Sequence, residues 1–252
     1  MRDLVLRYAA RAAPGPIAAS LDGLRHGLAE EFGGPFNGQE RRIEAIREIF
    51  ARVQFGSIVE TGTYRATTTL FLRELSDAPI ATIEVQSRYY HYAKKRLRDA
   101  PNVTAIRGDS AAKLPLLAAR APWNRGPTFF YLDAHWLNSL PLAGELEAIG
   151  TGWKDYAVMV DDFRVPDDPG YAYDDYGPGA VLEPAILAPL ASSNVAVYWP
   201  AAPSATETGA RRGWVVLATA GLVDDALREL GTLRRAGYVV PVMDDVRTTA
   251  AG

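Results

Sequence analysis

The chain contains no cysteine, which excludes disulfides, thiolate metal sites and a cysteine nucleophile. Histidine is scarce, with only His26, His91 and His135, so chemistry that needs an imidazole has few places to stand. No apolar run approaches the roughly 20 residues of a membrane span. Arg2, Asp3, Arg7 and Arg11 interrupt the apolar residues at the N-terminus and break up any signal-peptide core. A cytoplasmic protein without membrane contact is the expectation. No basic run stands out and the formal net charge is −3, which disfavours nucleic acid as a partner. Internal repeats and low-complexity tracts are also missing. What is present, 48% hydrophobic and 23% charged residues in 252, suits one soluble α/β domain with an extension.

The most informative stretch is 57–67. Phe55, Ile58 and Val59 lead into Glu60, then Gly62, then small and hydroxyl residues and a helical run from Thr67. This reads as a buried strand, a tight turn and a helix whose N-terminus faces whatever lies over the turn. Gly62 permits close approach of a ligand, and Glu60 is an acceptor at the strand's end. An ordinary βα unit would look the same, so the stretch does not decide function alone. Glycine is thin here: a dinucleotide turn needs three, whereas Thr63 and Ala66 occupy the neighbouring slots. A nicotinamide oxidoreductase is therefore disfavoured, and a ligand without phosphates fits better.

Ahead of the turn, residues 1–53 form a helical cap by pattern. A short helix ends at Pro14-Gly15-Pro16. A second is expected over 17–32, and a stronger one over 39–53 with Ile43, Ile46, Phe50 and Val53 on one face and Arg41, Arg42 and Glu44 elsewhere. Residues 54–252 then alternate. Strands are expected at 80–85, 103–106, 128–132 and 157–160, with helices at 87–99, 110–120 and 140–149 between them. Apolar strand runs that do not alternate with polar residues predict a mostly parallel sheet buried on both faces. Strands at 195–199 and 214–219 have no helix between them and read as an antiparallel edge hairpin. A closing helix is expected over 222–235. An extended tail over 237–242 is available to pack against a partner subunit, which allows a homo-oligomer.

In an open α/β sheet, ligands bind at the carboxyl ends of the strands. The five successive ends here carry Glu60, Glu84, Asp109, Asp133 and the pair Asp161-Asp162. Aspartate favours turns, and Asp109 could simply cap the helix that Ser110 begins. An acid at every end points to a site that accepts hydrogen bonds. His135, two residues past Asp133, is the sole histidine at a strand end, and an imidazole there suits deprotonation of a hydroxyl. Hard cations take carboxylate oxygens, so Asp133, Asp161 and Asp162 are candidate metal ligands; the alternative is that Asp161 or Asp162 caps a turn. The loop 164–180 is rich in Tyr and Asp (Tyr171, Tyr173, Asp174, Asp175 and Tyr176) and is a candidate acceptor-binding lid.

The order Glu60-x-Gly62, Glu84, Gly108-Asp109-Ser110, Leu132-Asp133-x-His135 and Asp161-Asp162-Phe163 resembles the class I S-adenosylmethionine-dependent methyltransferases. The resemblance covers about residues 56–219. Within that family, Asp-x-His followed by Asp-Asp-Phe is similar to the metal-dependent small-molecule O-methyltransferases of macrolide sugars and catechols. The resemblance implies a Rossmann-like, seven-stranded sheet with helices on both faces. It implies that Glu60, Gly62, Thr63 and Tyr64 line the methionine part of S-adenosylmethionine, and that Glu84 accepts from the ribose hydroxyls. Asp109 and Ser110 would flank the adenine, and Asp133 would border both cofactor and metal. It further implies Mg²⁺ on Asp133, Asp161 and Asp162, His135 as base, and a small hydroxylated acceptor such as a sugar or phenol. A methyltransferase-like scaffold that binds a nucleoside without turnover is the alternative.

Overall fold

The computed structural model describes residues 2–135 and 140–239. Helices α1 (Arg2–Ala12), α2 (Gly15–Asp22) and α3 (Glu40–Arg52) precede the first strand, β1 (Ser57–Thr61). Then come α4 (Thr67–Leu75), β2 (Ile80–Glu84), α5 (Ser87–Arg96), β3 (Val103–Arg107) and α6 (Ser110–Ala118). They are followed by β4 (Thr128–Leu132), α7 (Leu142–Gly152), β5 (Tyr156–Val160), β6 (Val195–Pro200), β7 (Val215–Thr219), α8 (Leu222–Arg228) and β8 (Leu233–Tyr238). The eight strands form one sheet in the order β3-β2-β1-β4-β5-β7-β6-β8. β1 to β5 pair in parallel, whereas β7 is antiparallel to both β5 and β6.

The mostly parallel sheet follows from the composition of its strands. Every residue of β1, β2, β4 and β5 is buried, as unbroken apolar runs require when helices cover both faces. One apolar cluster packs α6 and α7 onto the sheet through Leu114, Leu142 and Leu146 over Val59, Phe130 and Val158. The opposite cluster seats α3 and α4 through Ile46, Ile49 and Leu72 over Ile58, Phe129 and Met159. Helix α3 thus shares the core of the sheet. The sheet order reverses between β1 and β4, and this places a crevice at their carboxyl ends.

Three expectations change. The helix expected over 17–32 stops at Asp22, because Gly27, Gly33, Gly34 and Phe32 all take positive φ and the chain continues in short 3₁₀ turns. The helix expected over 222–235 stops at Arg228, and 233–238 is an eighth strand. Leu233 is buried and the residues after it alternate in exposure, so the segment has strand periodicity, and it covers the otherwise open edge of β6. Part of the tail expected at 237–242 therefore pairs within the chain; residues 240–242 lie outside the described residues.

Candidate functional site

A cavity of about 430 Å³ opens over the carboxyl ends of β1 to β5. The turn after β1 shapes its floor. Gly62 has φ +82°, and a Cβ there would lie 2.0 Å from the carbonyl oxygen of Asp133, so no other residue fits between β1 and β4. The Gly62 and Thr63 N–H groups both donate to Ile83 O, which locks the turn onto β2. Tyr64 (φ 47°) and Ala66 (φ 59°) continue in the left-handed region, an uncommon conformation for non-glycine residues, and bring the chain round to α4.

Of the residues expected to hold a cofactor, Gly62, Tyr64, Glu84, Asp109, Ser110 and Asp133 line this cavity. Glu84 is fixed by backbone donors: its Oε2 accepts from Tyr64 N at 2.8 Å and its Oε1 from Gln86 N at 2.7 Å. Burial raises its carboxyl above the usual range against those bonds. Asp109 caps α6 by accepting from Ala112 N at 3.0 Å, so the capping role and a place on the cavity wall coexist. Thr63 lines a smaller adjoining hollow. Glu60 borders neither. It lies beneath the turn, accepting from the hydroxyls of Thr69 and Thr82, with burial pushing its carboxyl up to about 7. Thr63 meets Thr82 at 2.5 Å, so Glu60 acts on the turn through these hydroxyls.

The strand-end acids of β4 and β5 form one network with two arginines. Asp161 does not join the metal group expected of it. Its Oδ1 accepts from Arg42 Nη1 at 2.5 Å and from Asp162 N at 2.7 Å, and its Oδ2 from Tyr131 Oη at 2.6 Å. Burial alone would raise this carboxyl, but Arg42 and Tyr131 outweigh it and hold Asp161 low. Asp162, at φ 53°, turns the other way and pairs with Arg212, which also holds Asp174. His135 stands between Asp162 (Nε2 to Oδ2, 3.6 Å) and Asp133 (Nε2 to Oδ1, 3.9 Å). The three side chains offer ligand atoms all within 4.8 Å of one another. Burial would lower the imidazole, but Asp162, Asp133 and Asp161 push it up to about 9. Asp133 is raised well above the carboxylate range by burial and by Asp161. Asp161 therefore stands outside the expected group of three carboxylates, its two oxygens accepting from Arg42, Asp162 N and Tyr131.

Several site residues carry no signal in the sequence. Arg42 reads as lying off the apolar face of its helix, yet it is fully buried, 5.3 Å and 5.6 Å from the ring centres of Phe36 and Tyr131. Arg212 arrives from a loop, held by Gln39: the Gln39 amide donates to Arg212 O at 2.8 Å and accepts from Arg212 N at 3.2 Å. Phe32 and Val85 are exposed apolar side chains inside the cavity wall, where a ligand surface would meet them. An apolar residue directly after a strand-end acid, as Val85 follows Glu84, was the one readable hint. From the loop 164–180 only Asp174 reaches the cavity, and the Tyr176 ring is centred 6.5 Å from that of His135.

No protein-family model matches the chain, and no curated protein matches it. Solved structures do. The O-methyltransferase TomG of Streptomyces achromogenes, involved in tomaymycin synthesis and solved with S-adenosylmethionine, is 18% identical with a TM-score of 0.54; the match covers 86% of this chain and 96% of that one. A protein of Staphylococcus aureus provisionally named a caffeoyl-CoA O-methyltransferase is 12% identical with a TM-score of 0.53, over 86% and 98% of the two chains. One of Klebsiella pneumoniae, provisionally named an O-methyltransferase, is 14% identical with a TM-score of 0.52, over 87% and 96%. The chain therefore has the Rossmann-like fold of these O-methyltransferases.

Proposed function

We propose that the protein is an S-adenosylmethionine-dependent O-methyltransferase acting on a hydroxyl of a small molecule, a sugar or a phenol. The observation that carries this reading is the cavity itself. It is lined by Glu84 and Asp109 at one end and by Asp133, His135 and Asp162 at the other. The cofactor carries a sulfonium and no phosphate, so an acid-lined pocket suits it. Glu84 would take the ribose hydroxyls, Asp109 and Ser110 the adenine, Gly62 and Tyr64 the methionine portion; Glu60 and Thr63 would hold the turn from below. Residues 1–53 would act as the cap and residues 54–252 as the transferase domain, joined through the core that α3 shares.

Transfer breaks the bond between sulfur and methyl carbon and forms one between that carbon and the acceptor oxygen. The products are S-adenosylhomocysteine, the methyl ether and a proton. Holding the acceptor in line supplies most of the rate gain. The sequence assigns the proton to His135. Here the assignment is to the cluster, because the imidazole nitrogen and the carboxylates of Asp133 and Asp162 share one set of charges. Of the carboxylates that would hold Mg²⁺, Asp133 and Asp162 stand together beside His135, while Asp161 is engaged by Arg42 and Tyr131 and would support the site from behind.

S-adenosylhomocysteine at about 100 times its dissociation constant is expected to add ~2.7 kcal/mol and to raise the melting temperature clearly. Glu84→Ala is expected to weaken that ligand by about 1.5–3 kcal/mol for each charge-assisted hydrogen bond lost. No melting shift at millimolar ligand with folded protein would sink the cofactor assignment. Isotopic methyl transfer to a panel of sugars and phenols separates the enzyme from a non-catalytic nucleoside-binding scaffold, which would bind the ligand and label nothing.

A further inference from the structure

We infer that α1, α2 and the cationic end of α5 form a docking face for an anionic lipid bilayer. Five of the eleven large apolar side chains that stand exposed among the described residues are Leu4, Val5, Tyr8, Ile17 and Leu24, all in α1, α2 and the turn that follows. That is a concentration, not the scatter of single apolar residues any surface carries. Helix α1 meets the body along one line only, where Ala10 is buried and Leu6 half-buried. Leu4 and Tyr8, one turn apart, with Val5 beside them, project to the opposite side. Arg7 and Arg11, also one turn apart, border that stripe on one side, and Arg2 borders it on the other. Arginines flanking an apolar stripe suit a helix lying in a headgroup layer, with the stems along apolar surface and the charged ends at phosphate.

Charge is distributed as unevenly as apolar surface. Helix α1 carries three arginines and one aspartate, α2 one aspartate, and α5 four cations with no acid, which makes five net positive charges on the three helices. The whole chain is at −3, so the remainder carries eight net negative charges. The three helices are neighbours, α1 packing on α2 and α2 on α5. Lys95 Nζ donates to Ser20 Oγ at 2.8 Å, which sets the cationic end of α5 beside α2. Each such cation near an anionic leaflet adds attraction. A second copy of the chain fits this face poorly, because symmetric pairing would bring basic face onto basic face. A groove in an acidic protein would have to enclose α1, whose Leu6–Ala10 side is already packed. A flat anionic surface meets neither obstacle. The expectation of no membrane contact rests on the lack of a span and of a signal-peptide core. Neither bears on a helix that lies on a surface, and the arginines that break the core are the ones that flank the stripe.

The test is flotation of the full-length protein with phosphatidylcholine vesicles containing about 30% phosphatidylglycerol, against phosphatidylcholine alone. At ~0.05 M salt, binding to the anionic vesicles is expected to be at least about tenfold tighter than to the neutral ones, and to weaken at least about tenfold at ~0.5 M. Arg7→Gln with Arg11→Gln is expected to weaken it by about tenfold or more, and Leu4→Ser with Tyr8→Ser by about fivefold or more. All four side chains are exposed, and thermal unfolding checks that the variants are folded. Arg52→Gln and Arg120→Gln, which remove exposed cations elsewhere, are expected to bind as the parent does. The inference is overturned if folded wild type floats with neither vesicle, if the two vesicles bind alike, if the α1 variants float as the parent does, or if the control variants lose as much. An oligomer that Leu4→Ser with Tyr8→Ser dissolves, in a protein that no vesicle binds, would make the face a contact between copies and overturn it as well. Flotation is read without cofactor or acceptor, so its failure leaves the methyltransferase reading standing.

Discussion

Arg42 shows how far a single buried charge can organise a site. It is wholly enclosed, ion-paired to Asp161 and packed against two aromatic faces. Removing one partner of such a pair leaves the other charge buried without compensation, so Arg42→Met is expected to cost about 3–5 kcal/mol of unfolding free energy by urea titration. Changing Asp161 to Asn in the same chain is expected to recover part of that loss. A cost below about 1 kcal/mol would show that the pair does not hold α3 to the sheet. Glu60 gives a pH signature. Its folded carboxyl sits near 7 against an ordinary value of 4.5, so the folded state favours the neutral form. Stability from this group is complete below the unfolded value, falls as pH rises from about 4.5 to about 7, and is level above that. Glu60→Gln, which mimics the neutral carboxyl, is expected to lack this decline. Wild type should lose up to on the order of 3 kcal/mol relative to the variant between pH 5 and 7.5.

At the scale of elements, the start of α3 depends on a distant loop. Gln39 at its N-cap makes no side-chain cap of its own. Instead the Glu207 carboxylate accepts from the N–H groups of Arg41 at 3.0 Å, Arg42 at 3.2 Å and Thr208 at 2.9 Å. A buried carboxylate at a helix N-terminus also meets the favourable end of the macrodipole. Glu207→Ala is expected to lower stability by about 1–2 kcal/mol, read from thermal unfolding. Because the same segment presents Arg212, the substitution is expected to disturb the Asp162 pairing as well. Calorimetry with S-adenosylhomocysteine would report that as a weaker ligand, whereas a cap acting on stability alone would leave the affinity unchanged.

Across the whole molecule, helix α2 is tied to α5, which packs on β2 and β3, by charge as well as by packing. Asp22, fully buried at the end of α2, accepts from Arg88 of α5 at 2.6 Å and 2.7 Å and from Arg25 at 3.1 Å. Burial opposes ionisation there, but the two arginines outweigh it and hold the carboxyl below its ordinary value. A depressed carboxyl adds stability above its unfolded value near ~3.9, and that stability is lost as pH falls through the folded value. Acidification is therefore expected to loosen α2 before the sheet. Hydrogen exchange across α1 and α2 at pH 7 and at about pH 3 measures it, and Asp22→Asn is expected to show the loosened pattern already at pH 7. Protection that falls in the sheet and in α2 together would refute this order of events.

The parallel sheet was legible in the order of residues because unbroken apolar strands such as 128–132 can only be buried on both faces. The pocket was legible too, since Glu84, Asp109, Asp133 and Asp162 each end a strand, and strand ends converge at the reversal between β1 and β4. Local pattern misplaced the closing helix: 222–235 reads as one helical run, but Leu233–Tyr238 pairs with the β6 edge. Tertiary structure alone decided which acids are free. Asp161 and Asp162 are neighbours in sequence, but a positive φ at Asp162 sends their side chains to Arg42 and Arg212, which come from residues 119 and 50 positions away. Charge compensation acts through space, and nothing in the spacing of the chain records which cation will arrive.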